Sequence, residues 1–298
     1  MSIRASLISF FIRHTMKKRM SRFEDPAEMR LDQALPGKIP ENVSTETVDA
    51  GGVPAEWVTI AGVSNDHVML YLHGGGYVFG GPDSHRDLAW RLAKECGIRV
   101  LVADYRLAPE HPFPGAVDDA TACYRWLLAE GYIADNLVVA GDSAGGGLSV
   151  ALMVNLRNLG LPLPKAAVLI SPWTDLSGSG ESMKTNADAD PMLAPAAIDR
   201  FARYYLGDRD PQAPLASPVF ADLSALPPMF VLVGSTEVLL SDSERLVERV
   251  NEAGGKASLD IWPRMPHVFP LLAGLIPEGR KAVSDIGEFV RGALGTSA

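Results

Sequence analysis

Along most of the chain a short apolar run ends in a glycine, a proline or a turn, and then gives way to helical spacing. The runs lie at 68–72, 98–103, 137–140, 166–170, 229–233 and 257–262, and the helical stretches near 87–95, 116–130, 146–159 and 243–253. Strands buried on both faces and alternating with helices predict an α/β fold, a mostly parallel central sheet flanked by helices. Two regions break the alternation. One is 1–40; the other is 178–215, rich in alanine, aspartate and proline, with a helical patch near 196–206. Long insertions in compact domains usually serve function. These two are therefore expected to form a small helical cap, leaving 41–177 and 216–298 as the catalytic core. Ile3, Leu7, Phe10 and Phe11 recur at helical spacing, which predicts an amphipathic helix packed on its own protein. Basic residues follow this stretch rather than precede it, no small-residue cleavage site is evident, and the run is too short to span a bilayer. The expectation is a cytoplasmic protein with no stable membrane insertion.

Composition narrows the class. The chain has 298 residues, 47% hydrophobic and 21% charged, enough for a large core without disulfides or structural metal. A net charge of −9 disfavours non-specific binding to nucleic acid or to anionic membrane. Cys96 and Cys123 form no CxxC pair and sit in no metal-spaced cluster, so they are expected to be buried thiols. No GxGxxG and no GxxxxGK occurs, and neither a cofactor nor a metal is expected. A homodimer is compatible with the sequence.

The chemistry is carried by Gly141-Asp142-Ser143-Ala144-Gly145, placed between an apolar run and a helical stretch. A serine on such a sharp strand-to-helix turn presents its hydroxyl at the edge of the sheet. By itself the pentapeptide arises in roughly one chain in ten of this length; its context makes it specific. His73-Gly74-Gly75-Gly76-Tyr77 follows an earlier strand. Three glycines can turn backbone amides toward an oxyanion. The amides of Gly75, Gly76 and Ala144 are the expected donors, with Gly74 leaving the register open. In sheets with this turn the order is serine, acid, histidine. Of the six histidines only His267 follows Ser143, so it is the expected base. His73, which ends a strand before the glycine loop, is expected to brace that loop. The acid should follow the 229–233 run, where Glu237 and Asp242 stand; position favours Glu237. Gly74, Tyr77, Phe79 and Val268 are candidate substrate-contacting residues.

Together these residues resemble the hormone-sensitive lipase family of bacterial esterases with the Gly-Asp-Ser-Ala-Gly turn. The resemblance rests on the glycine loop at 73–76, the Asp104–Pro114 stretch, the 141–146 turn, Gly234-x-x-Glu237 and His267, in order across roughly 68–270. It implies an α/β-hydrolase fold, a cap partly from the N-terminus, no metal, and hydrolysis of short- to medium-chain acyl esters. Two departures stand out. The family usually has aspartate where Glu237 stands, and glycine where Val268 would narrow the alcohol side. The 104–114 stretch reads as a structural support for the loops. The expectation is a carboxylic ester hydrolase acting on a small-molecule ester through Ser143, His267 and Glu237. An amidase or formamidase with the same residues, or an inactive small-molecule receptor on the same fold, are the rival readings.

Overall fold

The computed structural model describes residues 1–22, 25–31 and 39–296. Positions 23–24 and 32–38 of the expected N-terminal cap segment lie outside the described residues. Strands β1 (Val43–Asp49), β2 (Pro54–Ile60), β3 (Ser64–Leu72), β4 (Ile98–Ala103), β5 (Leu137–Asp142), β6 (Ala166–Ile170), β7 (Met229–Gly234) and β8 (Ala257–Trp262) form one sheet in the order β1-β2-β4-β3-β5-β6-β7-β8. Each of the six expected runs lies in one of the strands β3 to β8, which run parallel. The antiparallel β1 and β2 close one edge.

The helices are α1 (Ile3–His14), α2 (Met16–Arg22), α3 (Pro26–Leu31), α4 (Pro82–Cys96), α5 (Gly115–Ala129), α6 (Ala144–Asn158), α7 (Ser182–Thr185), α8 (Pro195–Leu206), α9 (Leu240–Glu252) and α10 (Pro277–Leu294). Strand alternation divides the core between the two faces. Val68, Leu70 and Leu72 point to one side, with Leu127 of α5 and Leu148 and Leu152 of α6. Met69 and Tyr71 point to the other, with Leu88 and Leu92 of α4 and Ile286 and Val290 of α10. Helix α9 packs beside α6 through Leu246 and Val250. Cys96 and Cys123 are buried and free, and burial pushes each thiol up to about 12.

The N-terminal helix departs from expectation. Helix α1 buries Ala5 and Ile12, whereas Ile3, Leu7, Phe10 and Phe11 are exposed. The apolar row that was expected to pack on the protein faces outward. Polar contacts fix the helix instead: Ser2 bonds to Glu278 and Arg13 donates to the carbonyls of Asp188 and Ala189, while Lys17 of the following α2 donates to those of Ala187 and Asp190. Among the described residues no helix is long and apolar enough to cross a membrane.

Candidate active site

Strand β5 ends at Asp142 and α6 begins at Ala144, so Ser143 alone makes the turn. Its φ of 53° and ψ of −121° are costly for a residue with a side chain and persist only where the surroundings enforce them. Here they do: Ser143 donates its amide to the Ile170 carbonyl at 2.9 Å and accepts from the Trp173 amide at 2.8 Å. The turn also presses α6 against β3. A Cβ on Gly145 would overlap the carbonyl oxygen of Leu72, which is why glycine is required there.

The last two parallel strands deliver the partners. Glu237 lies just past the end of β7 and His267 just past the end of β8. The Ser143 hydroxyl donates to His267 Nε2 at 2.9 Å, and His267 Nδ1 donates to Glu237 Oε2 at 2.6 Å. Glu237 is fully buried. Its other oxygen accepts from Ser171 Oγ at 2.8 Å and from the Gly234 amide at 2.5 Å. Ser171 Oγ in turn accepts from the Val268 amide at 3.2 Å, joining the acid loop to the histidine loop. Burial works to lower the His267 pKa, but the adjacent Glu237 carboxylate outweighs it, helped by Asp190 and Asp142, and the group sits above its ordinary value. Asp242 serves elsewhere: its Oδ2 accepts from the amides of Thr174 and Asp175 at 2.8 and 2.9 Å. Nothing in sequence marked Ser171, whose only local sign is its place at the end of a strand.

Asp142, inside the serine turn, reaches back to the glycine loop. Its Oδ1 accepts from the Gly74 amide at 2.9 Å and the Tyr71 hydroxyl at 2.8 Å, and His85 Nε2 lies 3.2 Å away. The Gly74 amide is thereby committed to Asp142. Among the described residues the amides of Gly75, Gly76 and Ala144 meet no acceptor. His73 donates Nδ1–H to the Gly74 carbonyl at 2.7 Å and stacks on Tyr105 at 4.1 Å. Burial, and then His85, push its pKa down to about 3, so the ring is neutral. The 104–114 stretch touches the same loop: Tyr105 donates to the His73 carbonyl at 2.6 Å and the Ala108 amide to the Tyr77 carbonyl at 2.8 Å.

Ser143, His267, Gly74, Gly75, Gly76, Phe79 and Val268 line one cleft of about 300 Å³. Tyr77 does not: it is buried away from the cleft, stacked on Tyr205 at 3.8 Å. Val268 is buried with φ 50° and ψ 41°, a left-handed conformation that is an outlier for a β-branched residue. Residues from both insertions complete the wall, namely Met16, Met20 and Met29 from the first and Met192, Ile198 and Phe201 from the second. No sequence motif marked them.

The model of the alpha/beta hydrolase fold family matches residues 69–271. An acetyl-hydrolase of Streptomyces hygroscopicus is 45% identical over 250 residues, 84% of this chain and 83% of that protein. An esterase of Acinetobacter venetianus is 35% identical, with 84% of each chain covered. Among solved structures, an esterase from the bacterial hormone-sensitive lipase family superposes with a TM-score of 0.93 at 45% identity, covering 99% of both chains.

Proposed function

The chain belongs to the bacterial hormone-sensitive lipase family of the α/β-hydrolase fold, and from that premise we propose that Ser143, His267 and Glu237 are the catalytic triad of a carboxylesterase acting on short- to medium-chain acyl esters. Esterase activity of the α/β-hydrolase type follows from the family. The observation that carries the finer reading is the unbroken hydrogen-bond chain from Ser143 through His267 to Glu237, with Ser143 facing the cleft.

In the first step Ser143 Oγ attacks the ester carbonyl carbon while His267 Nε2 takes the hydroxyl proton. Charge develops on the former carbonyl oxygen, which the amides of Gly75, Gly76 and Ala144 receive. Each such donor lowers the barrier by about 3 kcal/mol. The tetrahedral intermediate collapses, the C–O bond to the alcohol breaks, and His267 returns its proton to the leaving oxygen. Water, deprotonated by His267, then attacks the acyl-enzyme carbonyl; the carboxylic acid leaves and Ser143 regains its proton. Glu237 holds the tautomer in which Nε2 is free to accept and stabilises the imidazolium between steps. Gly74, Phe79 and Val268, as walls of the cleft, are the proposed substrate contacts. The regions 1–40 and 178–215 act as the cap over the 41–177 and 216–298 core, and the substrate is a small-molecule ester.

The test is hydrolysis of p-nitrophenyl acetate, butyrate, octanoate and palmitate, with a matched anilide alongside. Turnover of the shorter esters should fall at least about 10,000-fold in Ser143→Ala. A variant as active as wild type would remove Ser143 from the mechanism. Faster anilide than ester turnover would make the enzyme an amidase, and no wild-type turnover would favour a receptor.

A further inference from the structure

The charge of the chain is unevenly spread. Arg4, Arg13, Lys17, Lys18, Arg19 and Arg22 fall in the first 22 residues, which contain no acid, whereas the chain as a whole carries −9. Exposed large apolar side chains crowd into the same segment. Ile3, Leu7, Phe10 and Phe11 are exposed by 80%, 65%, 64% and 67%. At 100° per residue these four share one arc of α1, opposite the buried Ala5 and Ile12, with exposed Arg4 on its border and His14 within it. The helix is not loosely attached. Ser2 ties its start to Glu278, Arg13 fastens its end to the carbonyls of Asp188 and Ala189, and Lys17 at the start of α2 bonds those of Ala187 and Asp190. The apolar arc is thus held outward by contacts on its other side. A soluble protein seldom presents so concentrated an apolar patch without something that covers it.

We propose that α1 and α2 dock this protein, in the plane of the interface, on an anionic lipid surface. Large apolar side chains on one face with basic residues around them are the make-up of a helix that lies in the headgroup layer. Charge decides between occupants. In a two-fold dimer through this face, the same patch meets itself, which would bring the exposed Arg4, Lys18 and Arg22 of both copies into one interface. Anionic headgroups complement them. The acidic body does not prevent this, because its charges are screened beyond a Debye length of about 8–10 Å. The whole-chain charge that disfavours anionic membrane therefore does not describe this end of the molecule.

Docking has a consequence for substrate, which rests on the esterase reading above. Met16, Arg19 and Met20 of α2 line the cleft that holds Ser143 and His267. A lipid surface under α1 and α2 lies beside the cleft, so esters partitioned into that surface are the substrates brought to it.

The test is flotation of the full chain with vesicles of phosphatidylcholine alone, or with phosphatidylglycerol added. Ser143→Ala is run in parallel, so that binding is read without turnover. Wild type and Ser143→Ala should float with the anionic vesicles at low salt. Combined Ile3→Ser, Leu7→Ser, Phe10→Ser and Phe11→Ser should lower partitioning by more than about 100-fold. Lys18→Ser and Arg22→Ser should each lower it about 5-fold. Hydrolysis of soluble p-nitrophenyl butyrate should be unchanged in the apolar variant, since none of its four positions lines the cleft. Absence of flotation, equal flotation by the apolar variant, or equal flotation on phosphatidylcholine alone would overturn the proposal. A wild-type dimer in sedimentation that the apolar variant dissociates, without flotation, would assign the face to a second copy of the chain.

Discussion

His267 stands between opposed influences, and under the proposed mechanism their balance sets the pH at which the enzyme works. Burial favours the neutral ring, whereas Glu237 at 2.6 Å, with Asp190 and Asp142 beyond it, favours the cation, and the net displacement is upward from 6.5. A general base must be neutral to take the Ser143 proton. The acid limb of kcat/KM should therefore lie above the ordinary imidazole range. Glu237→Gln removes the strongest raising influence, so the limb should move to lower pH while kcat falls about 1,000- to 10,000-fold. A profile measured from pH 5 to 9 checks both, and a limb that stays in place would show that Glu237 does not govern His267. At this scale the sequence was readable where chain order excludes alternatives, as for His267. Where a carboxylate could serve two ends, only position relative to the strand end favoured Glu237. Glu237 and Asp242 lie five residues apart, yet one bonds the imidazole and the other binds two amides. Burial, and then Asp175, push that second carboxyl up to about 7. The fold gives each its separate partner.

The glycine loop and the serine turn are separate elements that Asp142 makes into one. Burial pushes its carboxyl up, but His85 and the hydroxyl of Tyr71 outweigh that and it is held below 3.8. Burial pushes His85 down, but Asp142 outweighs that and it is held above 6.5. A lowered carboxylate stabilises the fold above its unfolded pKa, and a raised histidine stabilises it below its own. The pair therefore contributes most between 3.8 and 6.5 and loses its contribution as pH rises through the folded pKa of His85. Asp142→Asn keeps an acceptor for the Gly74 amide but removes the charge, and should cost on the order of 3 kcal/mol near the middle of that window. Urea unfolding of both proteins, repeated in alkaline buffer, should show the difference shrink; a constant difference would mean that His85 is not charged in the fold. Which elements were legible follows from the same physics. Parallel strands buried on both faces are continuous apolar runs, and each of the six was visible. The hairpin β1–β2 was not, because β1 is largely exposed and reads Val-Ser-Thr-Glu-Thr-Val-Asp. Helix α10 was hidden by its glycines, which read as helix breakers. Gly287 is there because a Cβ would collide with the Glu95 carbonyl at the end of α4.

For the whole molecule, the cleft is a joint product of parts remote in sequence. The loops at the ends of the sheet strands supply Ser143 and His267, α2 and α3 supply Met20 and Met29, and the stretch before and within α8 supplies Met192, Ile198 and Phe201. Lys17 bridges the carbonyls of Ala187 and Asp190, and Asp190 Oδ2 accepts the amide of Val238, the neighbour of Glu237. The two insertions and the acid loop therefore hold one another. No periodicity in 1–40 or 178–215 encodes this, since a cleft wall of flexible methionines obeys volume rather than a motif. That property makes the acyl limit adjustable. Met20 is buried against the apolar core and also lines the cleft, so Met20→Ala should open space along the acyl path. Each methylene newly accommodated is worth about 0.8 kcal/mol, or roughly 4-fold in kcat/KM, so the octanoate-to-acetate ratio should rise by at least that factor. Acetate turnover should change little, because a two-carbon acyl group stays near Ser143. The lost packing should cost about 2 kcal/mol or more, so the rates belong well below the unfolding temperature of the variant. If the ratio stays at its wild-type value while the protein remains folded, the acyl chain does not run toward α2, and the wall formed by Met192, Ile198 and Phe201 is the one that sets its length.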